Sequence, residues 1–252
     1  MVNLGELVHD PLAAARVLGF DCARTRRPGE GWLRLDRYLA DPAIVDLALR
    51  QAGRRFGQPE VSQKTAAWLT AELAAAIGWP TAAMVLTDGR RPVRSDRDVH
   101  LPHPAAGVRR ATRFAPTGED EPASPAQVAD GLVAALDPVV EVVHARTRRG
   151  RHALWATVTD MVAAAFHRIG DAIGRSDEAR DLATRIIASN DALRGGTNWC
   201  EVPWSGGVER TRVRNICCLW YQTEGGATCI TCPRLGPEDR QALVERRRRP
   251  SA

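Results

Sequence analysis

The sequence predicts an α+β fold that is predominantly helical, with a small central β element and a cysteine-bearing module near the C-terminus. Three observations predict it: apolar residues recur at helical spacing along most of the chain, one middle stretch alternates as strands do, and four cysteines cluster after residue 216. We expect a mostly helical body over residues 1–196 with its β element at about 84–114, a module over 197–240 and a basic tail over 241–252.

Helices are expected in the first third of the chain. Asp10-Pro11 and Asp41-Pro42 each place a capping acid before a proline at the first helical position. Another helix should begin near Ser62, because an apolar stripe at helical spacing follows it. Gly78, with Pro80 just beyond it, predicts where that helix ends.

The β element is predicted in the middle of the chain. Asp88-Gly89 follows the apolar stretch Met84–Leu86 and is typical of a hairpin turn. Residues 108–114 show part of a strand alternation. Residues 116–125 are rich in proline and polar residues, which predicts an exposed linker.

Helices return after this linker. Ser124–Gln127 has the form of a capping box, and Pro138 lies within the helical periodicity that follows, where it predicts a kink or a break. A second helix is expected around residues 154–169, and a third from Ser176 to Gly195-Gly196. Beyond them, residues 199–204 and 208–214 flank Ser-Gly-Gly and predict a short hairpin that leads into the module.

Composition excludes several classes of protein. All but one of the 35 basic residues are arginines and 30 acidic residues are spread among them, so we expect no nucleic-acid partner despite the net charge of +5. The N-terminus lacks the basic and apolar regions of a secretory signal, and no uninterrupted apolar run approaches the roughly 20 residues of a membrane span. The expected location is therefore cytoplasmic, where six cysteines favour metal or redox chemistry over structural disulfides.

Four cysteines near the C-terminus carry the chemistry: Cys217, Cys218, Cys229 and Cys232, with the spacing C-C-x10-C-x2-C. Clustered thiolates select Zn²⁺, Cu(I) or an iron–sulfur cluster. A zinc site usually spaces each ligand pair by two to four residues around one ion. Adjacent residues on extended backbone point to opposite faces, which suits a larger two-metal cluster better. The spacing therefore favours [2Fe–2S], with structural zinc and a vicinal disulfide as the alternatives.

This motif, preceded by Arg212-x-Arg214 and with Tyr221 in its loop, resembles the FhuF-type ferric-siderophore reductase family. A fainter likeness extends upstream, through Val139-Val140 and the helix of Trp155. The resemblance implies that the cofactor is a [2Fe–2S] cluster with Cys217, Cys218, Cys229 and Cys232 as its metal ligands. It also implies a cytoplasmic oxidoreductase, able to associate peripherally with the membrane, that passes one electron to Fe³⁺ in a siderophore, a hydroxamate being favoured, so that iron leaves as Fe²⁺.

Several points stay open in the sequence. No nucleotide-binding or hydrolase motif occurs, so the electron donor is an unidentified protein or small reductant, and no catalytic residue is assigned. Cys22 and Cys200 match nothing in the motif. Cys200 is close to the module in sequence, where it is either a neighbour of the cluster or, as favoured, an inert buried thiol. Arg210, Arg212 and Arg214 fall on one face of a predicted strand, as a solvated face or as charges acting on the cluster. The functional alternatives are a [2Fe–2S] electron carrier or redox sensor, and a non-catalytic protein with a structural zinc site.

Overall fold

The computed structural model describes residue 10 and residues 12–25, 29–90, 93–106, 111–114, 122–193 and 195–248. In chain order the elements are α1 Ala13–Val17, β1 Asp21–Arg24, β2 Trp32–Arg34, α2 Leu35–Ala40, α3 Pro42–Arg54, α4 Gln63–Asp88, β3 Val99–Pro102, β4 Ala111–Phe114, α5 Pro125–Thr147, α6 Arg151–Ile173, α7 Ser176–Ala188, β5 Trp199–Trp204, β6 Gly207–Arg212 and α8 Pro237–Arg248. The α+β, predominantly helical class predicted from the sequence is confirmed. Asp10-Pro11 falls at the edge of the described residues, since Pro11 lies outside them.

Helix α4 forms the centre of the core. It packs against α3, α5 and α6, and 19 of its 26 residues are buried. The helix begins where predicted, and a capping box starts it, with the Ser62 hydroxyl accepting from the Thr65 amide and the Thr65 hydroxyl accepting from the Ser62 amide. By length and composition α4 could cross a membrane, but 83% of its most apolar window is buried inside the protein. It is apolar all round because neighbouring helices surround it.

The end predicted for this helix at Gly78 is wrong, because α4 continues through Pro80 to Asp88. A proline inside a helix costs about 3 kcal/mol, partly because it leaves the carbonyl four residues earlier without a donor. Here the hydroxyl of Thr112 in β4 donates to that carbonyl, on Ala76, at 2.6 Å. Burial of several large side chains, each worth about 1.5–3 kcal/mol, outweighs the remaining cost.

The strand predicted over Met84–Leu86 is also wrong, since these residues belong to the last turns of α4. Gly89 ends the helix in the left-handed conformation (φ 75°), so Asp-Gly here is a helix C-terminal signal and not a hairpin turn. The β element is instead a four-stranded sheet in the order β1-β4-β3-β2, with β1 parallel to β4 and the other pairs antiparallel. Strand β4 confirms part of the strand predicted over residues 108–114. Residues 108–110, and 116–121 of the predicted linker, lie outside the described residues.

The later elements follow the sequence closely. Ser124 and Gln127 form the predicted capping box of α5, and this helix continues through Pro138 without a break. Helix α7 ends at Ala188, earlier than the predicted Gly195-Gly196. Strands β5 and β6 pair antiparallel around Ser205-Gly206, which confirms the hairpin.

Helix α8 completes the C-terminal region by packing against β5. It spans residues 237–248, so it crosses the boundary predicted at residue 240, and residues 249–252 lie outside the described part. The basic run is therefore the last turn of a helix and not a segment beyond the last element, and Arg248 forms an ion pair with Glu209 of β6. The division into body, module and tail stays a prediction.

Candidate metal centre

The four motif cysteines lie together in the irregular segment between β6 and α8. Cys229 and Cys232 belong to one tight turn, in which the Cys232 amide donates to the Cys229 carbonyl at 2.8 Å. Across the segment, the thiols of Cys218 and Cys229 are hydrogen-bonded to each other, and so are those of Cys217 and Cys232. Each residue of the vicinal pair thus meets one residue of the C-x-x-C turn, which gives two pairs of sulfurs.

Each sulfur also accepts a hydrogen bond from the backbone amide two residues further along the chain. The donors are, in order, the amides of Leu219, Trp220, Thr231 and Arg234. The first of these bonds, from Leu219 to the Cys217 sulfur, is 3.4 Å long. Amide donors of this kind stabilise thiolate charge and help to set the potential of a metal centre.

Two glycines shape the loop between the cysteine pairs. Gly225 takes the left-handed conformation (φ 68°) in the loop between the cysteine pairs. Gly226 lies so close to the Trp220 carbonyl that a Cβ atom there would be 2.0 Å from its oxygen. The two glycines therefore let the loop close on itself.

The backbone turns sharply after the vicinal pair. Leu219 adopts the left-handed conformation (φ 62°), which is disfavoured for a residue with a side chain, and a short 3₁₀ turn over Trp220–Gln222 follows. Helix α4 holds this strained segment: the indole of Trp68 donates to the Cys218 carbonyl at 2.9 Å and Lys64 to the Gln222 carbonyl at 3.3 Å.

Charge is shared unequally within one sulfur pair. The hydrogen bond with Cys218, assisted by Thr231 and Arg214, lowers the pKa of Cys229 to about 5, and the same bond together with burial raises the pKa of Cys218 strongly. The pair therefore loses its first proton readily, from Cys229, while Cys218 keeps its own. Since metal ligation requires thiolates, binding at this pair releases the remaining proton.

The geometry distinguishes between the metals that four thiolates could hold. Among the described residues, no group of three or more His, Cys, Asp or Glu side chains is placed to hold a single metal ion. The all-thiol set is arranged instead as two pairs, and a [2Fe–2S] cluster takes two thiolates on each of its irons. The donor set therefore fits this cluster better than it fits one tetrahedral zinc ion.

Asp160 of α6 fixes the segment that enters the cysteine pair. It is 1% exposed, and its carboxylate accepts from the Asn215 amide at 2.9 Å and from the Arg214 Nε at 3.4 Å. Its backbone carbonyl accepts two hydrogen bonds from Arg212, at 3.2 and 2.6 Å. Burial raises the pKa of Asp160 and lowers that of Arg212 to about 10. Arg214 is buried too, but Asp160, Cys218 and Cys229 raise its pKa.

The arginine stripe is therefore not the uniform solvated face that was one of its two interpretations. Arg212 and Arg214 are largely buried, whereas Arg210 lies at the surface, where it forms ion pairs with Asp177 and Glu201 at 3.0 and 3.1 Å. Arg214 has the motif cysteines Cys218 and Cys229 among its electrostatic partners, and Arg212 has Cys229.

Two further buried arginines at the site were missed by sequence reasoning. Arg149, in the loop between α5 and α6, donates to the Cys217 carbonyl at 3.4 Å, and Arg240 of α8 donates to the carbonyls of Ile230 and Cys232 at 2.9 Å. Trp68 was seen only as part of an apolar stripe. Nothing local marks these residues, because their partners are distant in sequence and arginine is common throughout the chain.

The remaining cysteines lie apart from this arrangement. Cys22 in β1 is buried in the core with its thiol 3.9 Å from the Leu12 carbonyl, and burial raises its pKa to about 12. Cys200 in β5 is partly buried, and burial raises its pKa as well. Both thiols are therefore protonated at neutral pH and poor nucleophiles or ligands.

A cleft of about 570 Å³ opens beside the vicinal pair, with Cys218 in its wall. The wall continues through Trp68, Phe56 and Trp220, with ring centroids 4.4 Å apart for Phe56 and Trp68 and 6.5 Å apart for Phe56 and Trp220. Trp220 is 38% exposed, which is unusual for tryptophan and leaves its ring at the cleft. The cleft is thus aromatic, and three arginines, Arg55, Arg168 and Arg214, also line it.

Comparison with known proteins agrees with this geometry. Residues 214–234 match the family model of the FhuF 2Fe-2S C-terminal domain, and all four motif cysteines lie within the match. No curated protein matches the chain. The match covers the segment that the sulfur pairs and their amide donors define, and the chain therefore carries a FhuF-type C-terminal domain whose cofactor is a [2Fe–2S] cluster.

Proposed function

We propose that the protein is a ferric-siderophore reductase, in which chelated Fe³⁺ receives one electron at the cysteine module and iron is released as Fe²⁺. The observation that carries this proposal is the cleft beside Cys218, whose volume of about 570 Å³ is within the range of small-molecule sites. The family match supports an iron–sulfur oxidoreductase. A cleft in contact with a ligand residue adds a place where a chelate can approach the electron donor.

The ligand assignment forms part of the proposal. Cys218 and Cys229 would bind one iron and Cys217 and Cys232 the other, as their pairing indicates. When bound, the cluster supplies a single electron to an acceptor. The chain itself would hold the four sulfurs and stabilise their charge with backbone amides. It would also place Cys218 in the wall of the cleft.

The cleft residues would orient the chelate. Trp220 and Phe56 offer aromatic surface to the organic part of a siderophore, and Arg55 and Arg168 place positive charge along the wall. Trp68 has two contacts that matter here, because it lines the cleft and also holds the Cys218 carbonyl. A chelate that binds against this wall would therefore lie close to the segment that carries the four cysteines. Water would be excluded from the space between the chelate and Cys218.

The proposed substrate class and partners rest on the resemblance to the FhuF-type family. A hydroxamate siderophore is favoured, and its hard oxygen ligands hold Fe²⁺ much more weakly than Fe³⁺, which explains release. The electron donor is an unidentified protein or small reductant. We place the protein in the cytoplasm, with peripheral association at the membrane through which the chelate arrives.

The second candidate function is a [2Fe–2S] electron carrier or redox sensor without a siderophore site. The exposed Trp220 ring favours it, because an aromatic residue at the rim of a redox centre also suits docking of a protein partner. The structural zinc alternative has no such support, since the sulfurs are arranged as two pairs and the family match indicates a cluster.

An experiment with the reduced holoprotein separates these candidates. The anaerobically purified protein is reduced and mixed with ferric hydroxamate, catecholate or citrate in the presence of an Fe²⁺ trap. We expect the oxidised cluster spectrum to return with the hydroxamate while the trap reports Fe²⁺. Trp220→Ala should slow this reaction, whereas Val208→Ala, at an exposed position on the hairpin, should not. A reduced spectrum that persists with all three chelates would favour the carrier or sensor.

A further inference from the structure

Arg149 is a buried cation that has no carboxylate partner among the described residues. Its residue is 6% exposed, its Nη1 donates to the Gln63 carbonyl at 3.3 Å and its Nη2 to the Cys217 carbonyl at 3.4 Å. Its Nε is buried and has no hydrogen-bond partner within the described residues. The guanidinium is therefore held by two long hydrogen bonds to neutral carbonyls.

Such an arrangement is unfavourable in a protein interior. A buried charge is normally paired, and leaving one uncompensated costs several kcal/mol. Arg214 meets this requirement through its ion pair with the Asp160 carboxylate. The same carboxylate favours the charged state of Arg212, whose hydrogen bonds go to the Asp160 backbone carbonyl. For Arg149 the groups that favour the charged state are Cys217 and Cys218, while burial opposes it and lowers its pKa. Among the described residues, the electrostatic partners that favour the charged guanidinium are thus the sulfurs of the vicinal pair.

We infer that Arg149 is the counter-charge of the bound cluster, a positioning residue that favours retention of the cluster and stabilises its reduced state. Two observations support this role, because the same guanidinium donates to the Cys217 carbonyl and interacts electrostatically with both sulfurs of the pair. A cluster ligated by four thiolates is anionic and gains a further negative charge on reduction. The inference rests on the ligand assignment proposed above and is independent of the substrate.

A purely structural role is the competing explanation. Arg149 bridges the Gln63 carbonyl, at the start of α4, to the Cys217 carbonyl, and it could simply hold these two segments together. The two roles predict opposite effects of Arg149 on the stability of the apoprotein. A buried counter-charge destabilises the protein until the cluster is bound. Its removal should therefore leave the apoprotein at least as stable as the wild-type apoprotein. A structural bridge stabilises the apoprotein and the holoprotein alike.

The test compares Arg149→Gln and Arg149→Lys with Arg148→Gln, a change at the exposed neighbouring position. Reduction potentials are measured spectroscopically on holoprotein that contains no siderophore. We expect Arg149→Gln to lower the equilibrium constant for reduction on the order of tenfold, a potential ~59 mV more negative for a one-electron couple. Arg149→Lys should retain most of the wild-type potential, and Arg148→Gln all of it. Equal potentials for Arg149→Gln and Arg148→Gln, or a shift in the positive direction, would overturn the inference.

Loss of the cluster from Arg149→Gln would not leave the question open. In that case the iron content of Arg149→Lys decides it: restored iron supports a charge role, and equal loss contradicts it. Thermal unfolding of the apoproteins is a second measurement, in which Arg149→Gln should unfold no earlier than wild type, and a clear fall in its midpoint would assign Arg149 a structural role alone. Cys217→Ser with an unchanged cluster spectrum would instead show that the ligand assignment has failed.

Discussion

The indole of Trp68 donates a hydrogen bond of 2.9 Å to the backbone carbonyl of Cys218, across 150 positions of sequence. It joins the central helix of the core to the residue that lies in the wall of the cleft. The next residue, Leu219, is held in the left-handed conformation, which is strained for a residue with a side chain. The hydrogen bond from Trp68 holds the backbone at this position. The conformation of the segment that carries the motif cysteines therefore depends on its contact with helix α4.

We predict that Trp68→Phe keeps an aromatic ring against Phe56 but lowers the free energy of unfolding by about 1–3 kcal/mol, since a partly buried carbonyl loses its donor. The cluster should also bleach faster in air. Trp79→Phe is the matched control, because the Trp79 Nε1 is buried with no partner among the described residues and its removal should cost nothing through hydrogen bonding. Equal losses from both changes, measured by chemical unfolding, would show that ring size rather than the hydrogen bond matters.

The ligand assignment predicts the behaviour of all six cysteines. The anaerobically purified protein should contain two irons and two sulfides per chain, and serine at any one of Cys217, Cys218, Cys229 or Cys232 should abolish or badly destabilise the cluster. Cys22→Ser and Cys200→Ser should keep the wild-type absorption spectrum. Iron and sulfide analysis checks each variant. Bleaching by Cys200→Ser, together with a normal spectrum in one motif variant, would contradict the assignment, and stoichiometric zinc in freshly isolated protein would contradict the cluster.

Arg214 should raise the potential of the cluster. A unit charge ~10 Å from the added electron at an effective dielectric near 20 is worth roughly 1.7 kcal/mol, or about 70 mV for a one-electron couple. Arg214→Gln should therefore make the potential more negative by tens of millivolts, with the cluster intact. Arg210→Gln is the control, since that side chain lies at the surface in ion pairs with Asp177 and Glu201.

Asp160→Asn adds a second arm to this measurement. It removes the buried carboxylate that partly neutralises Arg214, so the potential should move in the positive direction. Opposite shifts in the two single variants are the expected result. A potential that moves alike in Arg214→Gln and Arg210→Gln would mean that Arg214 acts on the fold and not on the cluster.

The proline inside α4 leads to a prediction about stability. Thr112→Val removes the hydroxyl that donates to the Ala76 carbonyl, which Pro80 leaves without a helical donor. The unpaired buried carbonyl should lower the free energy of unfolding by about 1–3 kcal/mol. Thr112→Ser keeps the hydroxyl and should lose less. A loss in Thr112→Ser as large as that in Thr112→Val would show that packing at this position, and not the hydrogen bond, sets the stability.

Two partly buried histidines should make stability depend on pH. Burial lowers the pKa of His167 and of His100 below the usual 6.5. A depressed histidine pKa means that the unfolded chain binds protons first, so stability is full above pH 6.5 and falls as pH drops toward the folded-state pKa values. Chemical unfolding between pH 7.5 and 5.5 should show this slope, and His167→Gln should flatten it. An unchanged slope in that variant would exclude His167 as a source.

Sequence reasoning found the candidate metal centre because its cysteines are local. The four cysteines lie within one short segment and their amide donors are each two residues away, so the spacing favoured a [2Fe–2S] cluster and the resemblance implied it. The end of α4 was misplaced because Gly78 and Pro80 are local stop signals, and the hydroxyl that compensates for the proline comes from a different element. Arg149 could not be found, since its role arises from contacts made across the fold.

Helix α8 begins five residues after the last motif cysteine, and its Arg240 holds the carbonyls of Ile230 and Cys232. A ribosome delivers all four sulfurs before it delivers this guanidinium, so the C-x-x-C turn emerges without the group that fixes it. Cofactor insertion is therefore favoured only after α8 has been synthesised and has packed against β5. A nascent chain interrupted between Cys232 and Arg240 would contain all four motif cysteines yet hold an incoming cluster poorly. Assembly of the centre is therefore expected late in the synthesis of the chain.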